Sequence, residues 1–194
     1  MKKISHNTMS YLPVRQWWLR PFAWIGRCQS MNGTEQLIEG VQGFDLRVRF
    51  DRHGKPVFAH GLLEYEDDVM NTLTALNRIM AGTDYFSVRL LLETTPLMSA
   101  GERAYQYELF REFCEYCELR LTNLRWWGGW ARDGWRCCIY KFAGQEPSVT
   151  EMHGSVSGNL LNCLRLKWWA RKHNREIIGN AQTDCVMLDY IEFK

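Results

Sequence analysis

A chain of 194 residues with 46% apolar side chains has ample material for a core, so one domain spanning residues 1–194 is expected and a disordered chain is excluded. The formal net charge of +2 is too small to mark a phosphate-backbone binder, which concentrates uncompensated Lys and Arg on one face, so no nucleic-acid partner is expected. No apolar run approaches the roughly 20 residues needed to span a bilayer.

Met1-Lys2-Lys3 leads straight into Ser5-His6-Asn7-Thr8 rather than into the apolar stretch of a secretory signal. Seven cysteines, an odd number, suit a reducing compartment, so a cytoplasmic location is expected.

Short apolar runs alternate with helical periodicities, the pattern of parallel strands joined by helical crossovers, so the fold class is α/β. Strands are predicted at Lys3 to His6, Phe44 to Val48, Pro56 to His60, Tyr85 to Glu93, Arg136 to Tyr140 and Val186 to Ile191. Asp51 to Pro56 is a turn by composition. Core-facing helical stripes run through Val69, Leu73, Leu76 and Met80, through Leu109, Phe113 and Tyr116, and through Leu160, Leu164 and Trp168. Trp127-Gly128-Gly129-Trp130 reads as a loop, because paired glycines interrupt helix and strand alike.

Cys114 and Cys117 lie on a helical pattern, and Cys137 and Cys138 would face opposite sides of a strand. Core packing is therefore favoured over a zinc site. Nine tryptophans are many for this length, and Trp126, Trp127 and Trp130 could contact a membrane interface. Inward packing is the favoured reading, with Trp17-Trp18 and Trp168-Trp169 each placing at least one ring inside.

His6, His60 and Glu93 fall at predicted strand ends, where side chains from distant sequence converge in α/β barrels. Period-two geometry puts Asp45 and Arg47 on one side of their strand, and buried charges need partners or work. Taken singly each has a plainer reading. His6 could be solvated, Asp45 with Arg47 a structural ion pair, and Glu93 a helix cap. His53, His153 and His173 are set aside, and Arg165, Lys167, Arg171, Lys172 and Arg175 read as the solvated face of a helix.

Together these residues resemble a known family. Ser5-His6-Asn7-Thr8 looks like the first signature of the phosphatidylinositol-specific phospholipase C X domain. Gln29-Ser30 and Glu35 to Val41, leading into Phe44-Asp45-Leu46-Arg47-Val48, are similar to its helix and second strand. Gly54 to Leu62 resembles the strand that delivers the second histidine. The similarity covers roughly the first third of the chain, with weaker echoes in Val88 to Glu93 and in Val186 to Ile191. It implies a PLC-like phosphodiesterase, a TIM-type (β/α) barrel that is compact and trimmed, since such barrels run to roughly 250 residues.

The resemblance implies a phosphoric diester hydrolase with His6 as base and His60 as acid, closing a cyclic phosphate by the substrate's own hydroxyl. Arg47 falls where other members hold calcium and would stabilise phosphate charge, so no cofactor is expected. The alternative is a calcium ion held by Asn7, Asp45 and Glu93. Asp45 would orient Arg47 or a histidine, Asn7 and Glu93 would hold the substrate, and Asp189 is the candidate to orient His6. The implied partner is a phospholipid headgroup, with peripheral membrane contact. The competing readings are a glycerophosphodiester phosphodiesterase and an inactive headgroup-binding module.

Overall fold

The structure, a computed structural model, describes residues 2–83, 86–128, 147–151 and 164–193. Its strands are β1 (Lys2–Ser5), β2 (Val41–Phe50), β3 (Pro56–His60), β4 (Leu63–Glu64), β5 (Ser87–Leu92), β6 (Arg125–Gly128), β7 (Val149–Glu151) and β8 (Cys185–Leu188). Helices α1 (Gly33–Ile38), α2 (Val69–Ile79), α3 (Ala100–Arg120) and α4 (Leu166–Asn180) accompany two 3-10 helices, Thr8–Tyr11 and Trp17–Ile25. The strands form one mixed sheet curled into a half-barrel, an α/β fold of the trimmed TIM type.

Six strands run parallel in the order β6-β5-β2-β1-β8-β7. Strands β2 and β3, joined by the turn expected at Asp51 to Pro56, are not a parallel pair with a helical crossover but an antiparallel hairpin continued by β4. The cause is local. The Asp51 carboxylate accepts from the backbone N–H groups of His53 and Lys55 and folds the connection into a tight turn.

Strand β2 organises the site. Its first half pairs with β1 up to Ser5↔Phe44, and β3 joins the same edge only at Val48↔Phe58. Between those two pairings β1 turns away from β2, and the turn carries His6 and Asn7 over Asp45 and Arg47.

Side chains on β2 alternate from Gly43 onward. Phe44, Leu46, Val48 and Phe50 join the main core beneath the helices, with Val88, Leu90 and Leu92 of β5 and with Phe110 and Phe113 of α3. Gly43, Asp45, Arg47 and Arg49 face the barrel interior. A side chain at Gly43 would meet Ile4 and the Ser87 carbonyl at 3.0 Å, so only glycine lets β1, β2 and β5 close up there. Below the charged residues a second cluster of Ile4, Trp127, Cys185 and Met187 plugs the interior.

Several sequence expectations need correction. Trp127-Gly128 is not loop but the end of β6, paired with Arg89 and Leu90. Trp126 and Trp127 are each 7% exposed, which removes them from any membrane contact. Trp17 and Trp18 are 73% and 58% exposed, so that pair puts neither ring inside, whereas Trp169 is buried and Trp168 exposed. On α3 the buried face is Gln106, Phe110, Phe113, Cys114 and Cys117, and Tyr116 points outward. On α4 it is Leu166, Trp169, Ala170, Asn174 and Ile177, leaving Leu164 and Trp168 exposed.

The α2 stripe of Val69, Leu73, Leu76 and Met80 is buried as its spacing predicts, and Cys114 and Cys117 are buried free thiols. The expected strand at 136–140 with Cys137 and Cys138, and the expectations for Tyr85, Gly129, Trp130, His153 and Leu160, lie outside the described residues.

Leu46→Ala empties a fully buried position and is expected to cost about 2–5 kcal/mol in urea denaturation. Ile38→Ala, at an exposed position, is expected to change stability by about 0.5 kcal/mol or less.

Candidate active site

The sequence candidates converge at the C-terminal ends of the strands. His6 follows β1, Asp45 and Arg47 lie on β2, His60 ends β3, Glu93 follows β5 and Asp189 follows β8. All but His60 are buried, and His60 is half-buried.

His6 is held from both sides. Its Nδ1 lies 2.6 Å from Asp189 Oδ1, and Arg47 Nη2 lies 2.7 Å from its Nε2. A guanidinium can only donate, so Nε2 must present its lone pair and Nδ1 must carry the proton, which it donates to Asp189. The ring is thereby a neutral imidazole with its basic nitrogen turned toward Arg47. Burial, then the charge of Arg47, pushes its pKa well below the ordinary histidine value.

Arg47 sits between two carboxylates. Its Nε donates to Asp45 Oδ2 at 3.1 Å and its Nη1 to Glu93 Oε2 at 3.4 Å. Burial opposes the guanidinium charge, but Asp45 and Glu93 outweigh it and keep Arg47 charged. Burial alone would likewise raise Asp45. Arg47 and Arg89 reverse that and hold the carboxyl below the usual range, with Arg89 Nε 3.5 Å from Asp45 Oδ1. The Asn7 backbone N–H donates to Asp45 Oδ2 at 3.0 Å.

His60 enters from the hairpin. Its Nδ1 donates to the Gly26 carbonyl at 3.0 Å, and the next backbone N–H, that of Gly61, donates to Glu93 Oε1 at 2.8 Å. Glu93 therefore ties the β3 end to Arg47. A Cβ at Gly26 would stand 2.6 Å from Leu63 Cδ1 and 3.3 Å from His60 Nδ1, so the absence of a side chain there lets the ring dock.

No protein-family model matches the chain, and no curated protein matches it. Solved structures do. A single-site variant of the phosphatidylinositol-specific phospholipase C of Staphylococcus aureus superposes with a TM-score of 0.62 at 12% identity, over 97% of this chain and 84% of that one. The corresponding enzyme of Listeria monocytogenes gives a TM-score of 0.52 at 11% identity, over 97% and 87%.

The fold is that of the phosphatidylinositol-specific phospholipases C.

Within this phospholipase C fold the residues do not fit calcium. The Arg47 guanidinium already lies between Asp45 and Glu93, and a divalent cation shared by them would sit against its charge.

Three participants, Arg89, Arg49 and Cys28, escaped the sequence reading, and Gln29 entered it only as part of the resemblance. Arg89 pairs with Asp45 across β2 and β5, bonds Glu151 and lies over the Trp127 ring at 5.1 Å. Arg49 continues the period-two series Asp45, Arg47 and donates to the Gly61 and Leu63 carbonyls, so that alternation was the available signal. Gln29 donates to the carbonyls of His6 at 3.0 Å and Leu188 at 2.9 Å and accepts from the Ile191 N–H, binding the ends of β1 and β8 together. Cys28, fully buried, brings its Sγ beside His6 and Asp189, and no local pattern marks it.

An apolar cavity of about 570 Å³ opens beside His60 and Cys28, walled by Leu19, Phe22, Leu62 and Leu166. It adjoins the 3-10 helix Trp17–Ile25, in which no residue is buried.

The depressed His6 pKa carries a stability consequence. Between the folded and unfolded values the unfolded chain binds more protons, so stability falls as pH drops below about 6.5. Urea midpoints measured from about pH 8 down to about pH 5 are expected to decline in that window, and His6→Gln is expected to flatten the decline.

Proposed function

We propose that the chain is a metal-independent phosphodiesterase that cleaves the headgroup phosphodiester of a phospholipid through a cyclic phosphate. The observation that carries this reading is the enforced tautomer of His6, a neutral ring with its Nε2 lone pair turned to a buried guanidinium. That is the state a general base needs near neutral pH.

In this mechanism a phosphodiester, a charged acceptor, draws the Arg47 N–H groups away from His6, and the substrate's neighbouring hydroxyl takes their place at Nε2. His6 removes the hydroxyl proton and Asp189 stabilises the ring that it charges. The oxygen attacks phosphorus, and the bond to the leaving alkoxide breaks. Arg47 neutralises the developing charge on the phosphoryl oxygens. His60 holds Gly26 through Nδ1, so the proton it gives the leaving oxygen comes from Nε2. Asp45 and Glu93 fix the plane of Arg47, and Asn7 lies beside the phosphate.

A lipid substrate is supported by the surface around the cavity. Trp17, Trp18, Phe22 and Trp24 are all exposed along the helix that borders it, an apolar cluster suited to the interface of a bilayer. On this reading peripheral contact falls to residues 17–25 rather than to Trp126 and Trp127, which are buried.

Phosphorus NMR of phosphatidylinositol in detergent, with excess chelator, tests the reaction. The expected product is a cyclic inositol phosphate, lost by about a hundredfold or more in His60→Ala. Product that requires added calcium would refute the role of Arg47. Turnover of glycerophosphocholine alone would reassign the substrate class. On vesicles containing phosphatidylinositol, the double variant Trp18→Ala, Phe22→Ala is expected to partition several-fold less than the unaltered chain, and equal partition would remove the proposed interface.

A further inference from the structure

We propose that His6 Nδ1, Cys28 Sγ and an Asp189 carboxylate oxygen form a binding site for a thiophilic divalent cation such as zinc, and that the ion switches the base off. One ligand atom from each residue lies within 4.8 Å of those of the other two, His6 Nδ1 is 2.6 Å from Asp189 Oδ1, and all three residues are buried. Thiolate, imidazole and carboxylate are the ligands that zinc selects, and a tetrahedral ion with bonds of about 2.0–2.3 Å places its ligands roughly 3.5 Å apart. Closure therefore needs side-chain movement of about an ångström. The fourth position is left to water.

The backbone around the site is already fixed in the required arrangement. Ser10 Oγ accepts the N–H groups of Cys28 and Gln29, at 2.9 and 3.0 Å. The Cys28 carbonyl accepts from the Tyr190 N–H at 2.7 Å, which fastens the thiol's segment to the residue following Asp189. Asn174 Nδ2 donates to the Asp189 carbonyl at 2.9 Å and holds that segment from the helix side. Cys28 also lines the cavity beside His60.

This set differs from the calcium ligands considered above. It contains a soft sulfur and a nitrogen, and it uses neither of the carboxylates, Asp45 and Glu93, that hold Arg47.

The proton balance links binding to function. The Cys28 thiol releases its proton to solvent. The ring proton leaves Nδ1, where the ion binds, and reappears on Nε2, so the imidazole stays neutral. Nε2 then carries a hydrogen, so the Arg47 Nη2 donor now 2.7 Å away must turn aside, and Nε2 has no lone pair to accept a substrate proton.

Binding stands independently of the phosphodiesterase reading, whereas loss of turnover rests on it. The test is a cobalt(II) titration of the full chain, read by the thiolate-to-cobalt charge-transfer band. The band is expected to saturate at one equivalent, to vanish in Cys28→Ser and to persist in Cys114→Ser, Cys117→Ser. Its survival in Cys28→Ser, or its loss in the double variant, overturns the site.

X-ray absorption of the unaltered chain loaded with one equivalent of zinc decides the matter even if Cys28→Ser fails to fold. One sulfur with nitrogen and oxygen neighbours supports the site, and two sulfurs overturn it. In the same preparation zinc is expected to lower turnover by about a hundredfold, with recovery on chelation. Unchanged turnover with the one-sulfur signature overturns the switch and leaves the site. Absent turnover in the metal-free chain, with that signature intact, refutes the phosphodiesterase reading alone.

Discussion

The architecture turns on keeping a guanidinium charged inside a barrel. Removing Arg47 from water costs several kcal/mol, which only well-placed carboxylates offset. One of them, Asp45, lies two residues away on the same strand, and the other, Glu93, lies just beyond the neighbouring strand. Asp45 is in turn drawn on by Arg89, and Arg89 by Glu151 on β7. A charge placed on β2 thus dictates what must stand at the ends of β5 and β7, and the strand register is the means by which those ends meet it.

The half-barrel is accordingly layered along its axis. Ile4, Trp127, Cys185 and Met187 fill the lower interior without charge, while the upper interior is almost entirely polar. Outside, the alternate residues of the same strands supply the main core, so each central strand serves two solvents at once. The apolar floor keeps the dielectric low under the polar layer, which strengthens the hold of Arg47 on His6 and Asp45.

What could be read from the chain follows from how local each signal was. Strand β3 runs from Pro56 to His60 as predicted, because the Asp51 turn and the alternation after it are both local. The α2 stripe was legible for the same reason. On α3 the true face was hidden because Gln106, a polar residue, is buried to satisfy both backbone groups of Phe50. Asn174 hid the face of α4 in the same way, bonding the Asp189 and Tyr190 carbonyls. Gly128 suggested a loop because composition cannot see that β5 pairs alongside it. His6, His60 and Glu93 stood out by type and by place at strand ends, Asp45 and Arg47 by period-two alternation, and Asn7 and Asp189 only through the family resemblance. Cys28 and Arg89 did not, since their neighbours come entirely from register and from the Gln29 clamp.

That clamp joins the first strand to the last. His6 and the carboxylate that sets its tautomer are 183 residues apart, and β1 has its partner β8 at the far end of the chain. Contacts of such long range close late in folding. During synthesis β1 leaves the ribosome long before β8 exists, so its outer edge and the imidazole at its tip must wait for the residues up to Asp189, 183 positions on, to follow. The pairing therefore depends on late synthesis: a chain that stops before residue 189 carries His6 but lacks the carboxylate that fixes its tautomer.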